Sequence, residues 1–506
     1  MKLLKKINPR RTQVRRNIAA ERFSQISKFL NADVILSLLL WVLFVVLCIP
    51  IISFGLIKQI NLLPMSIVIL LISVAAGVYI KHYQKRIISN HTRALALVGL
   101  FILLLATTKM GTVLSNQTFW ATGTAVAAAI ILTISYDQRF AIGMSLFYCL
   151  FAYFASDTSE GINLFLAMVA GAITCCFSLR EIRTRMKLLE VSAMAAVIVF
   201  TVSFTLEFLS LHQPPKTSII FRSSGLHAAS TMLVGIVIQS LLPLIEKVFR
   251  IATSMTLLDY SDANQPLLKR LAMEAPGTYS HSLLVGAVAE SAAESISRNG
   301  LLCRVGAYYH DIGKINKPTY FTENEMGSTS RHKELSPAMS QLIIVGHVKD
   351  GVEMSKEYGL PAVLRQFIET HHGSTLVEYF YNEAKKKHDE KQSPPSEDEF
   401  RYTGPKPRSK EAAIVMLADS VEGTTRSLSE VTPTRIEGVA HNMAMKRLQD
   451  GQFDECDLSL RELSQIEASI SKTLAAHYHG RIAYPKQPEE PHEEPGTVQT
   501  NSEPND

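Results

Sequence analysis

Eight runs of mostly apolar residues occupy the first half of the chain, at about 33–57, 62–80, 94–108, 118–135, 140–155, 162–179, 188–209 and 225–245. A helix needs roughly 17–25 such residues to cross a bilayer, and only helices or closed barrels satisfy their backbone polar groups inside one. Runs of this length in series leave a multi-span α-helical membrane region as the expected fold of residues 33–245. The third and fifth runs are the shortest and the least secure as spans. The first follows about thirty polar residues and exceeds a signal-peptide core, so it is expected to remain as an anchor.

Charge divides the chain at the same place. Residues 1–250 hold 24 Lys and Arg against 9 Asp and Glu, a balance of +15, whereas 251–506 hold 27 against 37, a balance of −10. The net charge of +5 therefore averages two unlike halves. This excludes a wholly soluble enzyme, a secreted disulfide scaffold and a disordered chain. The six cysteines form no CxxC pair and four lie in apolar runs, so neither a disulfide framework nor a zinc knuckle is indicated.

Basic residues near span ends stay on the cytoplasmic side. With eight spans, the N-terminal segment and the loops 81–93, 136–139 and 180–187 hold 18 of them, and the opposite loops hold only Lys58, Lys109, Lys216 and Arg222. Both termini are then expected in the cytoplasm. The segment MKLLKKINPRRTQVRR is expected to lie on anionic headgroups rather than on a nucleic-acid polymer. His227 and Glu207 sit near outer span ends and are expected to snorkel to the interface. The spans lack paired interrupted helices around a charged midplane site, which argues against a transporter.

From Glu246 the pattern becomes amphipathic and helical, with no strand-period run, so the whole chain reads as all-α. Helices are expected at 266–274, 281–298, 301–312, 336–357, 361–372, 409–422 and 459–477, most of them stopped by Gly or Asn-Gly. Residues 382–408 are charged and Pro-rich and read as a mobile loop. The tail 485–506, rich in Pro and Glu, reads as disordered.

Eleven of the fifteen histidines fall in this half, and the informative ones sit at or near expected helix ends. They are His281, the pair His310-Asp311, His347 and the pair His371-His372, joined by Asp419 in AAIVMLADSVEG. Imidazole with carboxylate suits iron, manganese or zinc better than calcium. Six or seven such ligands are too many for one ion. An adjacent His-Asp pair on a helix points about 100° apart, so a carboxylate there can bridge two cations. Two ions about 3.5–4 Å apart clamp an in-line phosphoryl displacement, which is the reaction class inferred.

The stretches LLPLIEKVFRIATSMTLLDYSDANQPLLKRLAMEAPGTYSHS, RVGAYYHDIGKINKPTYFTEN, HVKDG, HHGSTLVEYFY, FRYTGPKPRSKEAAIVMLADSVEGTTRSL and HYHGRIAYP cover nearly all of 241–486. With them the chain resembles the membrane-anchored HDIG-type HD-domain phosphohydrolases, the seven-transmembrane-receptor HD family of bacterial cyclic di-AMP phosphodiesterases. The resemblance implies a basic N-terminal segment over 1–32, about eight spans over 33–245, a linker with leading helices over 246–280, a cytoplasmic all-helical HD domain over 281–484 and the tail. It implies that His281, His310, Asp311 and Asp419 bind one metal, with Asp311 bridging, and that His347, His371 and His372 complete the second. Lys314 matches the position whose ammonium is expected near the scissile phosphate; a surface lysine after a helix stop is the alternative. Further implications are two ions, Mn2+ or Fe2+, hydrolysis of cyclic di-AMP to linear pApA, and an inner-membrane location.

One departure is large. Relatives commonly carry a sizeable extracytoplasmic domain after the first span, whereas about four residues, Lys58 to Asn61, join the first two runs here. SRH at 330–332 also departs from the usual Asn-Pro-His and leaves the role of His332 open. Ligand spacing reads phosphate and not the base, so cyclic di-GMP or a guanosine polyphosphate stands as an alternative substrate. A nucleotide-binding receptor without turnover is a third reading, opposed by the intact ligand set. The expected partners are the dinucleotide and the lipid bilayer, with a homodimer or a regulatory membrane protein left open.

Overall fold

A computed structural model describes residues 32–54, 62–156, 161–179, 184–210, 217–325, 331–387 and 394–479. The basic segment and the tail lie outside the described residues, apart from Ala32. Among the described residues the fold is all-α, with one isolated bridge, Leu376 to Arg401. These residues form two compact units. The first runs through residue 279 and includes 308–335 and 342–369; the second comprises 280–307, 336–341 and the chain from 370.

Within the first unit, the apolar runs become α1 (Ala32–Ser53), α2 (Leu62–Tyr83), the short α3 (Lys85–Ile88), α4 (His91–Ser115), α5 (Phe119–Ser135), α6 (Gln138–Ser156), α7 (Ile162–Ser178), α8 (Arg185–Ser210) and α9 (Thr217–Phe249). Six of these are long and apolar enough to cross a membrane, and α5 and α7 are shorter at 17 residues each. The runs expected to be short are instead helices of spanning length: α4 has 25 residues and α6 has 19. In α4 the helix continues through Thr107, Thr108 and Lys109, where an apolar count stops, because backbone at that depth has no water to bond and stays helical.

The bundle is organised around α5. Residues Ala121–Leu132 are all buried, around the full circumference, and α5 contacts α4, α6, α7 and α9. Its Ala, Gly and Thr side chains let four neighbours approach closely, as membrane packing requires where no hydrophobic effect drives helices together. Gly235 on α9 does the same against α8: a Cβ there would sit 2.0 Å from Ser192 Oγ. His227 does not snorkel. It is 3 % exposed, with Nδ1 2.7 Å from Thr122 Oγ1 and Nε2 3.3 Å from Thr118 Oγ1. Hydroxyls of the neighbouring helix replace interfacial water as its partners. Glu207, half-buried, accepts a 2.9 Å hydrogen bond from Ser223.

After α9 come α10 (Ser254–Tyr260), α11 (Pro266–Glu274), α12 (Pro276–Ser295), α13 (Gly300–Tyr309), α14 (Pro337–Glu357), α15 (Ala362–Thr370), α16 (Glu378–Lys386), α17 (Lys410–Arg426), α18 (Pro433–Gln449) and α19 (Leu460–His479). Glu246, at the end of α9, accepts from Thr253 N at 2.7 Å and Thr256 Oγ1 at 2.8 Å, and so fixes the start of α10. Helix α12 begins earlier than expected because Pro276 supplies the fixed φ of a first helical residue. Helix α17 runs past Gly423, since a lone glycine costs only about 1 kcal/mol and does not stop a helix by itself. Residues 394–408 are not a free loop: Phe400 and Tyr402 are buried, and Tyr402 N donates to Thr375 O at 2.9 Å. Residues 388–393 lie outside the described residues.

Candidate metal centre

The HDIG string does not lie on an α-helix. Helix α13 ends at Tyr309, and a 3-10 turn over Ile312–Asn316 follows, so His310 and Asp311 occupy the break. Two contacts fix that break. Tyr309 donates its hydroxyl to Tyr260 O at 2.8 Å. Gly313 lies so close to α14 that a Cβ would stand 1.8 Å from His347 O, which explains the glycine of the motif.

Asp311, almost wholly buried, turns its two oxygens in different directions. Oδ2 is 3.2 Å from His310 Nε2 and 2.8 Å from Lys314 Nζ, whereas Oδ1 is 3.4 Å from His347 Nε2. His347 lies within α14 and its Nδ1 donates to Ile344 O at 2.5 Å, which leaves Nε2 as its ligand atom. Lys314 is not a surface residue. Its ammonium also reaches Glu323 Oε1 at 2.7 Å and stands over the Phe321 ring at 5.0 Å. Burial disfavours the cation, but the Asp311 and Glu323 carboxylates outweigh it and hold the Lys314 pKa well above its ordinary value. Glu323 is lowered in turn: its burial cost is overcome by the Lys314 ammonium.

His281 lies inside α12, not at its start. Its Nε2 is 3.0 Å from Asp419 Oδ1, and its Nδ1 is 2.5 Å from Glu422 Oε2. Glu422 is buried one turn beyond Asp419 on α17 and paired with Arg426 at 2.7 Å. Arg426 also approaches His281 Nδ1 at 2.7 Å. A guanidinium only donates, so the carboxylate is the acceptor that directs Nδ1–H and leaves Nε2 for a cation. Desolvation lowers the His281 pKa, and Asp419 and Glu422 more than restore it, to a raised value. His371 and His372 follow the end of α15, with ring centroids 4.1 Å apart, and Tyr402 stacks on His372 at 4.3 Å.

Two groups of these side chains are spaced to hold a metal ion: Asp311, His347, His371 and His372, and His281, His310 and Asp419. In each group one ligand atom per residue lies within 4.8 Å of the others. Buried imidazole and carboxylate donors with no thiolate fit a borderline transition ion such as iron, manganese or zinc. All seven ligand candidates read from the sequence fall into these groups. Glu422, Arg426 and Glu323 were not singled out there. An Asp-x-x-Glu-x-x-x-Arg register on one helix face would have pointed to the first two had the helix not been ended at Gly423. His332 packs on the 318–320 turn, with Nε2 donating to Tyr320 O at 2.8 Å.

Comparison with known proteins assigns both regions. Residues 59–253 match the family described as 7TM receptor with intracellular HD hydrolase, and residues 278–424 match the HD domain. The first match takes in seven apolar helices, α2 and α4 to α9, and leaves α1 before it. The cyclic-di-AMP phosphodiesterase PgpH of Bacillus subtilis is 39% identical over 372 residues, which is 71% of this chain and 50% of that protein. PgpH of Listeria monocytogenes is 35% identical over 412 residues, 80% of this chain and 55% of that protein. The chain thus spans about half the length of these curated relatives. The L. monocytogenes PgpH HD domain, solved in complex with cyclic-di-AMP, is 43% identical and is covered completely by 43% of this chain, with a TM-score of 0.41. With apolar helices of spanning length followed by the HD match, the chain belongs to the membrane-anchored HD-domain family that joins a seven-helix receptor-like region to an HD hydrolase.

Proposed function

We propose that the chain is a membrane-bound, metal-dependent phosphodiesterase that hydrolyses cyclic di-AMP to linear pApA. The observation that carries the reading is Asp311, a buried carboxylate whose two oxygens face different histidines. His281, His310 and Asp419 would hold one divalent ion and His347, His371 and His372 the other, with Asp311 available to both; manganese or iron suits this donor set. When bound, the two ions supply the Lewis acidity that activates water and stabilises the leaving oxygen. Ile344 O and Glu422 orient His347 and His281, so that each Nε2 faces its carboxylate before a substrate arrives. Lys314 places a fixed positive charge beside Asp311, where an anionic phosphodiester is bound, and Glu323 holds it there. The names of the relatives support adenine over guanine as the base. The excess of Lys and Arg in alternate loops supports an inner-membrane protein with the HD domain in the cytoplasm.

The test is product analysis with the purified full chain. Wild type with manganese or iron yields pApA from cyclic di-AMP, and Asp311→Ala lowers the rate by at least about a thousandfold, since both ions lose a ligand. Undiminished turnover in Asp311→Ala sinks the assignment. Preferential turnover of cyclic di-GMP or a guanosine polyphosphate in competition moves the substrate and leaves the chemistry.

A further inference from the structure

Where α1, α2, α3 and α4 meet, at one end of the membrane bundle, they leave a slot of about 340 Å³. Its lining is apolar, with Trp41, Val74 and Leu97 among it, apart from Ser37 near the start of α1 and Lys81 near the end of α2. Ile87 and Ile88 of the short α3 also line it, and Lys81 and Lys85 are exposed. Gly77 faces open space, with Trp41 Nε1 the nearest heavy atom to an added Cβ at 3.9 Å.

An apolar slot of this size stays dry, and one that opens toward a bilayer fills with hydrocarbon. A hydrocarbon alone leaves Lys81 unexplained, because an exposed ammonium on the lining of an otherwise apolar slot calls for an acceptor with negative charge. We infer that the slot binds one anionic phospholipid, with an acyl chain packed along Gly77, Val78 and Trp41 and its phosphate received by Lys81. Lys85 adds to the positive field at the headgroup. The site is separate from the metal centre and does not depend on what that centre hydrolyses.

Native mass spectrometry of the full chain in detergent, with phosphatidylglycerol and phosphatidylcholine of identical acyl chains in competition, tests this. Wild type retains one phosphatidylglycerol with about a five-fold preference, the effect of one basic residue near an anionic headgroup. Lys81→Gln abolishes the preference and keeps the lipid. Gly77→Leu, which fills the slot, abolishes retention of both lipids. Equal retention of the two lipids by wild type overturns the inference, as does a preference that survives in both variants, because the basic loops alone would then be its source.

Discussion

The membrane bundle and the HD region differ in what they leave outside and in which polar groups they bury. In the bundle leucines face outward, Leu63 at 74 % and Leu71 at 63 % exposure, while the interior mixes large side chains such as Phe140, Phe151 and Tyr148 with the Ala, Gly and Thr of α5. The buried Thr108 hydroxyl there bonds both Thr124, at 2.6 Å, and Leu104 O in the preceding turn, at 3.0 Å. In the HD region the interior is mostly apolar, and the charges it buries are held in pairs, such as Asp311 with Lys314 and Glu422 with Arg426. Solvent decides the difference. Lipid is as apolar as leucine, so the bundle can leave leucine outside and place small residues where helices approach closely, whereas water rewards burying leucine, and a charge is buried there with its partner.

The two regions should therefore fail differently when altered. The largest effect is expected at Gly313, whose Cβ has no room against His347 O. Gly313→Ala should cost at least about 3 kcal/mol in the HD region and leave the bundle folded, read by limited proteolysis and thermal unfolding. Unchanged melting of the HD region would show that α14 yields easily. Glu422→Gln conserves shape but removes the negative charge that orients His281, and metal affinity at that group should fall about 10–100-fold in equilibrium dialysis.

Within the bundle the expected order of sizes inverts the usual rule. Ala128→Leu, in the fully enclosed α5, should destabilise by about 1–3 kcal/mol, whereas Leu71→Ala, facing lipid, should stay within about 0.5 kcal/mol. Equal effects on detergent-solubilised unfolding would mean that Leu71 meets protein and not lipid. The smallest change concerns the start of α19, where Ser459 and Glu462 exchange backbone hydrogen bonds as a capping box and Lys410 pairs with Glu462. The side-chain bond from Lys410, chiefly, lowers the Glu462 pKa to about 2. Its stabilisation is thus fully present above the unfolded value near 4.3 and is lost as pH falls toward 2. Glu462→Gln should cost about 1 kcal/mol at pH 7 and flatten the acid limb of the stability profile over that interval.

The places where sequence reading succeeded and failed follow from what each signal reports. Apolar runs mark helices in lipid, and eight apolar helices appear where eight runs were counted, but hydropathy stops at the polar end of α4 that the backbone carries through. Side-chain chemistry marks ligands, so His281, His310, Asp311, His347, His371, His372 and Asp419 were legible. Their local geometry was not, because HDIG reads as a helix end, while contact with α14 and Tyr260 decides that the pair sits in a break. Glu422 and Glu323 stayed hidden for a similar reason: a carboxylate in a charged helix or turn looks solvated until its partner is known. His227 was misread because hydroxyls on another helix can stand in for water.

The Glu246 cap has a consequence for how the two kinds of interior meet. The carboxylate at the foot of α9 grips the start of α10, and the last carbonyl of α10 holds the tyrosine next to His310. From the final membrane helix to the motif, about sixty residues apart in the chain, the path is two hydrogen-bonded junctions with α10 between them. The position of the histidine is thereby referenced to the lipid-facing scaffold, much as an instrument is aligned to its mount.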